Sequence, residues 1–342
     1  MDLHIVWFVL WGVLWGVYFM LDGFVLGAGM LHRVLGKTDM DRRIVINSFG
    51  PVWDGNEVWL VTAGGATFAA FPTTYALMFS YLYTPLLLLL FGLIVRGVSF
   101  EFRSKEESAT WRGCWDWAIV LSSFVPALLF GVAFGNIFAG LPMDQAGYHG
   151  SLIALLNPYG IVSGLLFVML FLEHGALYVA VKTVGDLSRR AESLARTLWV
   201  PLLVVAVAFL GYTNFATKLY DNYMKAPVLL VAPLLAVAAL VGTRLLLGAG
   251  NTLAAFAASC VTILGVVGTG VIGLFPNLIP SSMDALSSLT IYNSSSSEYT
   301  LQIMTGVAFT FVPVVILYKI WVYRVFRGRV TAEAVAADHE AY

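Results

Sequence analysis

The chain has 342 residues, of which 59% are hydrophobic and 11% charged, with a net charge of −1. A soluble domain carries about a quarter charged residues, so this composition, with a mean hydropathy of +0.84, excludes a water-soluble globule and indicates a membrane protein. The near-neutral balance gives a nucleic-acid partner no electrostatic support, and the widely separated Cys114 and Cys260 form neither a disulfide framework nor a metal spacing, which leaves packing roles for both.

A window of about 20 apolar residues yields nine candidate spans, at residues 5–31, 44–70, 74–98, 115–139, 160–181, 197–217, 227–247, 253–275 and 301–324. The fold class is therefore an all-α polytopic membrane protein, with one integral-membrane domain over residues 1–329 and a short polar tail over 330–342 that is expected to fray. The first span is retained rather than cleaved, because MDLH carries no Lys or Arg and no small-residue cleavage site follows. Glycines in GFVLGAGM suit close helix packing.

The second span, within GPVWDGNEVWLVTAGGATFAAFP, holds Asp54, Asn56 and Glu57. An ionisable group at bilayer depth costs roughly 2.5 to 3.5 kcal/mol, so such groups face a bundle interior, a wet path or a partner. Counting this span places 17 of the 19 Lys and Arg residues on one face and only Lys218 and Lys225 on the other. The positive-inside rule then sets the N-terminus outside and the C-terminus in the cytoplasm. The long segment 276–300, Ser-rich and without Lys or Arg, is expected outside.

His174 is the one histidine well inside a span. A haem with two axial ligands needs at least two converging side chains at depth, and two readings of His174 remain: a hydrogen-bonded packing residue, or a part in proton transfer or cofactor contact. The acids are more informative. Asp22 in span one, Asp54 in span two and Glu101 after span three are expected to gather toward the cytoplasmic side as a carboxylate line for proton uptake, and Glu57 in span two is a further proton-path candidate. The opposing reading is that Asp54 merely caps its helix or pairs with Arg96 or Asn56.

DGFVLGAGML, RRIVINSFGPVWDGNEVWLVTAGGATFAAFP, VRGVSFEFRSK, WDWAIVLSSFVPALLFGVAFGN, LNPYG and the loop FPNLIPSSMDALSSLTIYNSSSSEYTLQIMT, in order over residues 20–325, resemble subunit II of the bacterial cytochrome bd-type quinol oxidases. The resemblance implies two four-helix bundles with a peripheral helix, and pairing with a larger subunit I in a complex that oxidises quinol and reduces dioxygen to water, generating proton motive force. It places haem b and haem d in subunit I, with no iron ligand from this chain. It also implies a proton-path role for Asp54, a site of dioxygen access at Trp59, and motif or interface roles for Trp53, Asn56, Arg96 and His174. Small accessory subunits, membrane lipid and quinone are further partners. The family's DGFD motif reads DGFV here, so Val25 stands where a second acid would, and Glu57 is expected to supply a carboxylate nearby instead. Two rival readings remain: a structural scaffold for the haem-bearing partner that conducts nothing, and a proton-coupled transporter, for which no matching pair of Gly/Pro-broken helices is found.

Overall fold

The computed structural model describes residues 2–337 and Tyr342. In chain order the helices are α1 (Leu3–Met30), α2 (His32–Leu35), α3 (Asp39–Phe49), α4 (Trp53–Ala70), α5 (Pro72–Tyr81), α6 (Tyr83–Phe102), α7 (Ala109–Ala139), α8 (Leu152–Leu155), α9 (Pro158–Lys182), α10 (Gly185–Ala216), α11 (Tyr220–Lys225), α12 (Val231–Gly248), α13 (Thr252–Leu274), α14 (Glu298–Val325) and α15 (Ala332–Ala337). Two small antiparallel pairs, β1 (Met143–Asp144) with β2 (Gly147–Tyr148) and β3 (Asn277–Ile279) with β4 (Leu289–Thr290), close the loops at one end of the bundle.

Among the described residues eight helices are long and apolar enough to cross a membrane: α1, α6, α7, α9, α10, α12, α13 and α14. The 18-residue α4 is left out of that set by its polar first turns rather than by its path. Trp11 Nε1 donates to Thr67 Oγ1 at 3.0 Å and Asn56 Nδ2 to the Leu21 carbonyl at 2.9 Å, so α4 runs antiparallel along α1 for the length between these contacts.

The two expected spans at 44–70 and 74–98 are each divided. Pro51 lacks an N–H and its ring crowds the preceding turn, so the helix stops at Phe49 and restarts at Trp53. α3 is started separately by a capping box, Thr38 with Asp41. α5 and α6 are separated at Leu82, and Thr74 on α5 bonds to Ser294 of the Ser-rich loop at 2.8 Å.

α1, α4, α6 and α7 pack together, as do α9, α10, α12 and α13, with α14 outside both groups. α1 meets α9 closely because Gly27 has no side chain; a Cβ there would lie 1.7 Å from the Phe171 carbonyl oxygen. Beside this contact Trp15, Phe19, Phe130, Phe134 and Phe167 pack edge to face, with Phe19 and Phe167 centroids 5.0 Å apart, the favoured geometry for aromatic quadrupoles.

The end of the bundle holding α2 and α3 is fastened by ions. Asp116 on α7, fully buried, accepts from His32 Nε2 at 2.6 Å, Arg42 Nη1 at 2.8 Å and Arg103 Nε at 2.5 Å, and Arg103 also reaches Asp39 at 2.8 Å. Parts of the tail are docked on the bundle: α15 sets the buried Val335 against α3, and the Tyr342 carbonyl accepts from Arg43 Nε at 3.0 Å. Residues 338–341 of the expected frayed tail lie outside the described residues. Cys114 is exposed rather than packed, and Cys260 is half-buried.

Burial holds the His32 imidazole below its ordinary value, against the opposing pull of Asp116. His32 is thus neutral when folded, whereas the unfolded chain takes up a proton near its usual value, so its stability contribution is complete above that value and is lost as pH falls through the folded-state one. The thermal midpoint in detergent should fall as pH is lowered below about 6.5. His32→Gln, which keeps a donor to Asp116, should flatten that dependence; an unchanged slope would remove His32 from the account.

Candidate functional site

Arg96 follows six leucines and a phenylalanine in α6 and has no water to turn to. Its Nη2 donates to both Asp22 oxygens, at 3.1 and 2.9 Å, and to Glu57 Oε1 through a short contact. Asp22 and Arg96 are fully buried, while the Glu57 side chain keeps 26% exposure. Three helices therefore meet at one guanidinium: α1 through Asp22, α4 through Glu57 and α6 through Arg96. The Arg96 Nε and Nη1 atoms have no hydrogen-bond partner, and the Tyr18 hydroxyl, buried beside Asp22, completes none of normal geometry. One cation faces two carboxylates, so one of them is left without a cation of its own.

The expected carboxylate line is thus rearranged. Asp22 and Glu57 are brought together. Asp54, in the first turn of α4, is exposed and accepts from the Gly55 backbone N–H at 2.6 Å, and it pairs with neither Arg96 nor Asn56. It faces α14: a Cβ on Gly55 would lie 2.4 Å from Lys319 Nζ, so this glycine lets the lysine pass close by. Glu101, at the end of α6, is exposed and stands near Tyr342 rather than in the cluster.

The neighbouring motif residues have separate tasks. Asn56 is buried and donates to the Leu21 carbonyl on α1 at 2.9 Å while accepting from Tyr323 of α14 at 2.9 Å. Trp53 packs edge to face on Phe100 at 5.5 Å, and its Nε1 reaches the Tyr342 hydroxyl at 3.5 Å. Trp59 is buried and lines an apolar cavity between α1, α4 and α14. Sequence reasoning missed Tyr18 and Tyr323; each sits in an apolar run where a tyrosine looks like ordinary packing.

His174 has both ring nitrogens engaged, Nδ1 with Ser259 Oγ at 2.7 Å and Nε2 with the Met20 carbonyl at 3.0 Å, and it stacks on Phe256 at 4.8 Å. Neither nitrogen is offered to an iron, so this residue does not fit haem ligation. Among the described residues no group of three or more His, Cys, Asp or Glu side chains is placed to hold a metal ion.

Removing a partner from a buried ion pair costs roughly 3 to 5 kcal/mol, because the remaining charge is stranded. Arg96→Ala should therefore lower the thermal midpoint in detergent sharply, and adding Asp22→Asn with Glu57→Gln should recover part of the loss. Equal midpoints for wild type and Arg96→Ala would show that the cluster does not stabilise the fold.

The sequence profile described as cytochrome bd terminal oxidase subunit II matches residues 3–326. The chain is 38% identical to cytochrome bd-I ubiquinol oxidase subunit 2 of Escherichia coli K12, over 99% of this chain and 98% of that protein. It is 36% identical to cytochrome bd ubiquinol oxidase subunit 2 of Bacillus subtilis 168, over 96% and 97%. Its fold is similar to a chain of the bd oxidase structure from Geobacillus thermodenitrificans, with a TM-score of 0.79, 20% identity and coverage of 95% and 99%.

Proposed function

This chain belongs to the cytochrome bd terminal oxidase subunit II family, and we propose that it serves such an oxidase as the subunit that conducts protons and admits dioxygen. The complex oxidises quinol and reduces dioxygen to water. Haem b and haem d belong to the partner, subunit I, and supply the redox chemistry there, while this chain contributes no iron ligand. The occupied nitrogens of His174 support that division.

The observation that carries the proton role is the sharing of Arg96 between Asp22 and Glu57. Asp54 lies one turn before Glu57 on α4 and is open to its surroundings, and Glu101 stands at the end of α6 beside Tyr342, whose hydroxyl Trp53 reaches. A proton taken up at Asp54 or Glu101 passes inward to Glu57 and Asp22, where the second carboxylate has no cation of its own. Glu57 takes the place of the acid absent at Val25. Trp59 supports the second role, since the cavity it lines is apolar, as dioxygen requires.

Counting α4, the chain crosses the bilayer nine times with its N-terminus outside; the antiparallel contacts of α4 with α1 and the gathering of basic residues at the α2–α3 end support this. In intact cells a membrane-impermeant maleimide should label Ser295→Cys and spare Lys105→Cys; the opposite pattern would invert the topology.

Asp54→Asn and Glu57→Gln keep size and hydrogen bonding but cannot carry a proton. Each should slow quinol-driven dioxygen consumption about a hundredfold or more, in line with the usual worth of a proton-transfer group, with haem content unchanged. Trp59→Ala should instead raise the dioxygen concentration needed for half-maximal rate. Normal turnover of both carboxylate variants from neutral to alkaline pH would leave this chain as a scaffold.

A further inference from the structure

Arg96 does not treat its two carboxylates alike. Its Nη2 donates to both oxygens of Asp22, at 3.1 and 2.9 Å, but to a single oxygen of Glu57. A further group stands at this junction. Tyr18 lies one turn before Asp22 on the same face of α1, and because Cα–Cβ bonds tilt toward a helix N-terminus, the Asp22 side chain leans back over the turn that holds Tyr18. Tyr18 is fully buried. Its ring is enclosed by aromatic neighbours, with the centroids of Trp15, Phe19 and Phe130 at 6.5, 5.3 and 5.3 Å.

The charged groups around the Tyr18 hydroxyl are Asp22, Arg96 and Glu57, and of these Asp22 is the one placed to accept from it. The contact stops short of normal geometry, which leaves the hydroxyl a buried donor without a partner. Such a donor is costly to leave unpaired, and a tyrosine O–H turns readily toward an anion beside it. A phenylalanine would fill the same space between Phe19 and Phe130 without that cost. Packing alone therefore does not account for the hydroxyl.

We propose that Tyr18 is a positioning residue for proton transfer: its hydroxyl donates to Asp22 and holds that carboxylate as the fixed counter-ion of Arg96, which leaves Glu57 as the group that takes up and releases the proton. The assignment rests on Asp54 and Glu57 conducting protons. On uptake the O–H bond of the Asp54 carboxyl breaks and one forms on a Glu57 oxygen, so that Asp54 becomes the anion and Glu57 the neutral acid. Arg96 then serves Asp22 alone. When the proton leaves toward the dioxygen-reducing reaction, the O–H bond at Glu57 breaks and its carboxylate shares Arg96 again. Asp22 keeps its place through this change because it has a second donor in Tyr18. Without that donor the two carboxylates compete for one cation, and the proton is divided between them.

The test is redox-induced infrared difference spectroscopy of the purified complex, isotope-labelled in either its glutamate or its aspartate carboxyl groups, alongside quinol-driven dioxygen consumption as a function of pH. The protonated-carboxyl C=O band that Glu57→Gln removes should shift with the glutamate label and stay put with the aspartate label. Tyr18→Phe keeps the ring contacts, so haem content should be unchanged. Part of the band should then pass to the aspartate-labelled set. The maximal rate should fall about tenfold, the scale of losing one hydrogen bond to a charged group, most of all at alkaline pH and with the quinol KM unchanged. A wild-type band that follows the aspartate label overturns the assignment, because Asp22 is then the carrier. A Tyr18→Phe complex with the rate, pH profile and spectrum of the wild type, while Glu57→Gln is slow, overturns it as well: the route then stands and Tyr18 only packs. Normal turnover of Glu57→Gln removes the route itself, and the assignment with it.

Discussion

A guanidinium in the middle of an apolar helix fixes much of this structure. Arg96 cannot be hydrated where α6 places it, so the fold must bring it anions, and those anions come from two other helices. Asp22 supplies one from α1 and Glu57 the other from α4. The positions of α1, α4 and α6 relative to each other are then tied to one atom, Arg96 Nη2. The same arrangement sets two carboxylates against one cation, and the proposed proton path uses the second of them.

α4 is central to this because its start is set by Pro51. The interruption between Phe49 and Trp53 separates the amphipathic α3, held by Arg42, Arg103 and Asp39 around Asp116, from the transmembrane part that carries WDGN. The break also presents the first turn of α4 to its surroundings, which is why Asp54 is exposed although Asn56, two residues on, is fully buried. Asn56 in turn joins α1 and α14 across α4. Structure and proposed conduction therefore share residues, and a substitution at Glu57 or Asp22 acts on both, whereas one at Asp54 bears mainly on proton uptake.

The periphery follows a different rule. Within this chain α14 is held by hydrogen bonds near its ends, and its middle is little buried by the other helices. A helix in water needs a buried apolar stripe to stay packed, but in a bilayer lipid tails are as apolar as leucine, so a transmembrane helix can stand over a cavity provided its ends are anchored.

Membrane class and the resemblance to subunit II were legible in the sequence, because hydropathy and a long ordered motif depend only on local composition and order. The pairing of Arg96 was not: in the sequence it stands among the basic residues of one face and as one possible partner for Asp54. Asp22, Asp54 and Glu57 are all close enough in sequence terms, and the decision rests on helix phase and the antiparallel register of α4 against α1, which place Glu57 inward and Asp54 toward Lys319. The separations at Phe49–Trp53 and Leu82 were blurred for a related reason: an averaging window of about 20 residues reports mean hydropathy and is insensitive to a short interruption. The docking of Tyr342 and the cavity under α14 arise from contacts between residues nearly 300 positions apart. The sequence by itself determined that polar groups would be carried into the membrane; only the tertiary structure decided which of them would meet, because that depends on the facing and register of whole helices rather than on any one segment.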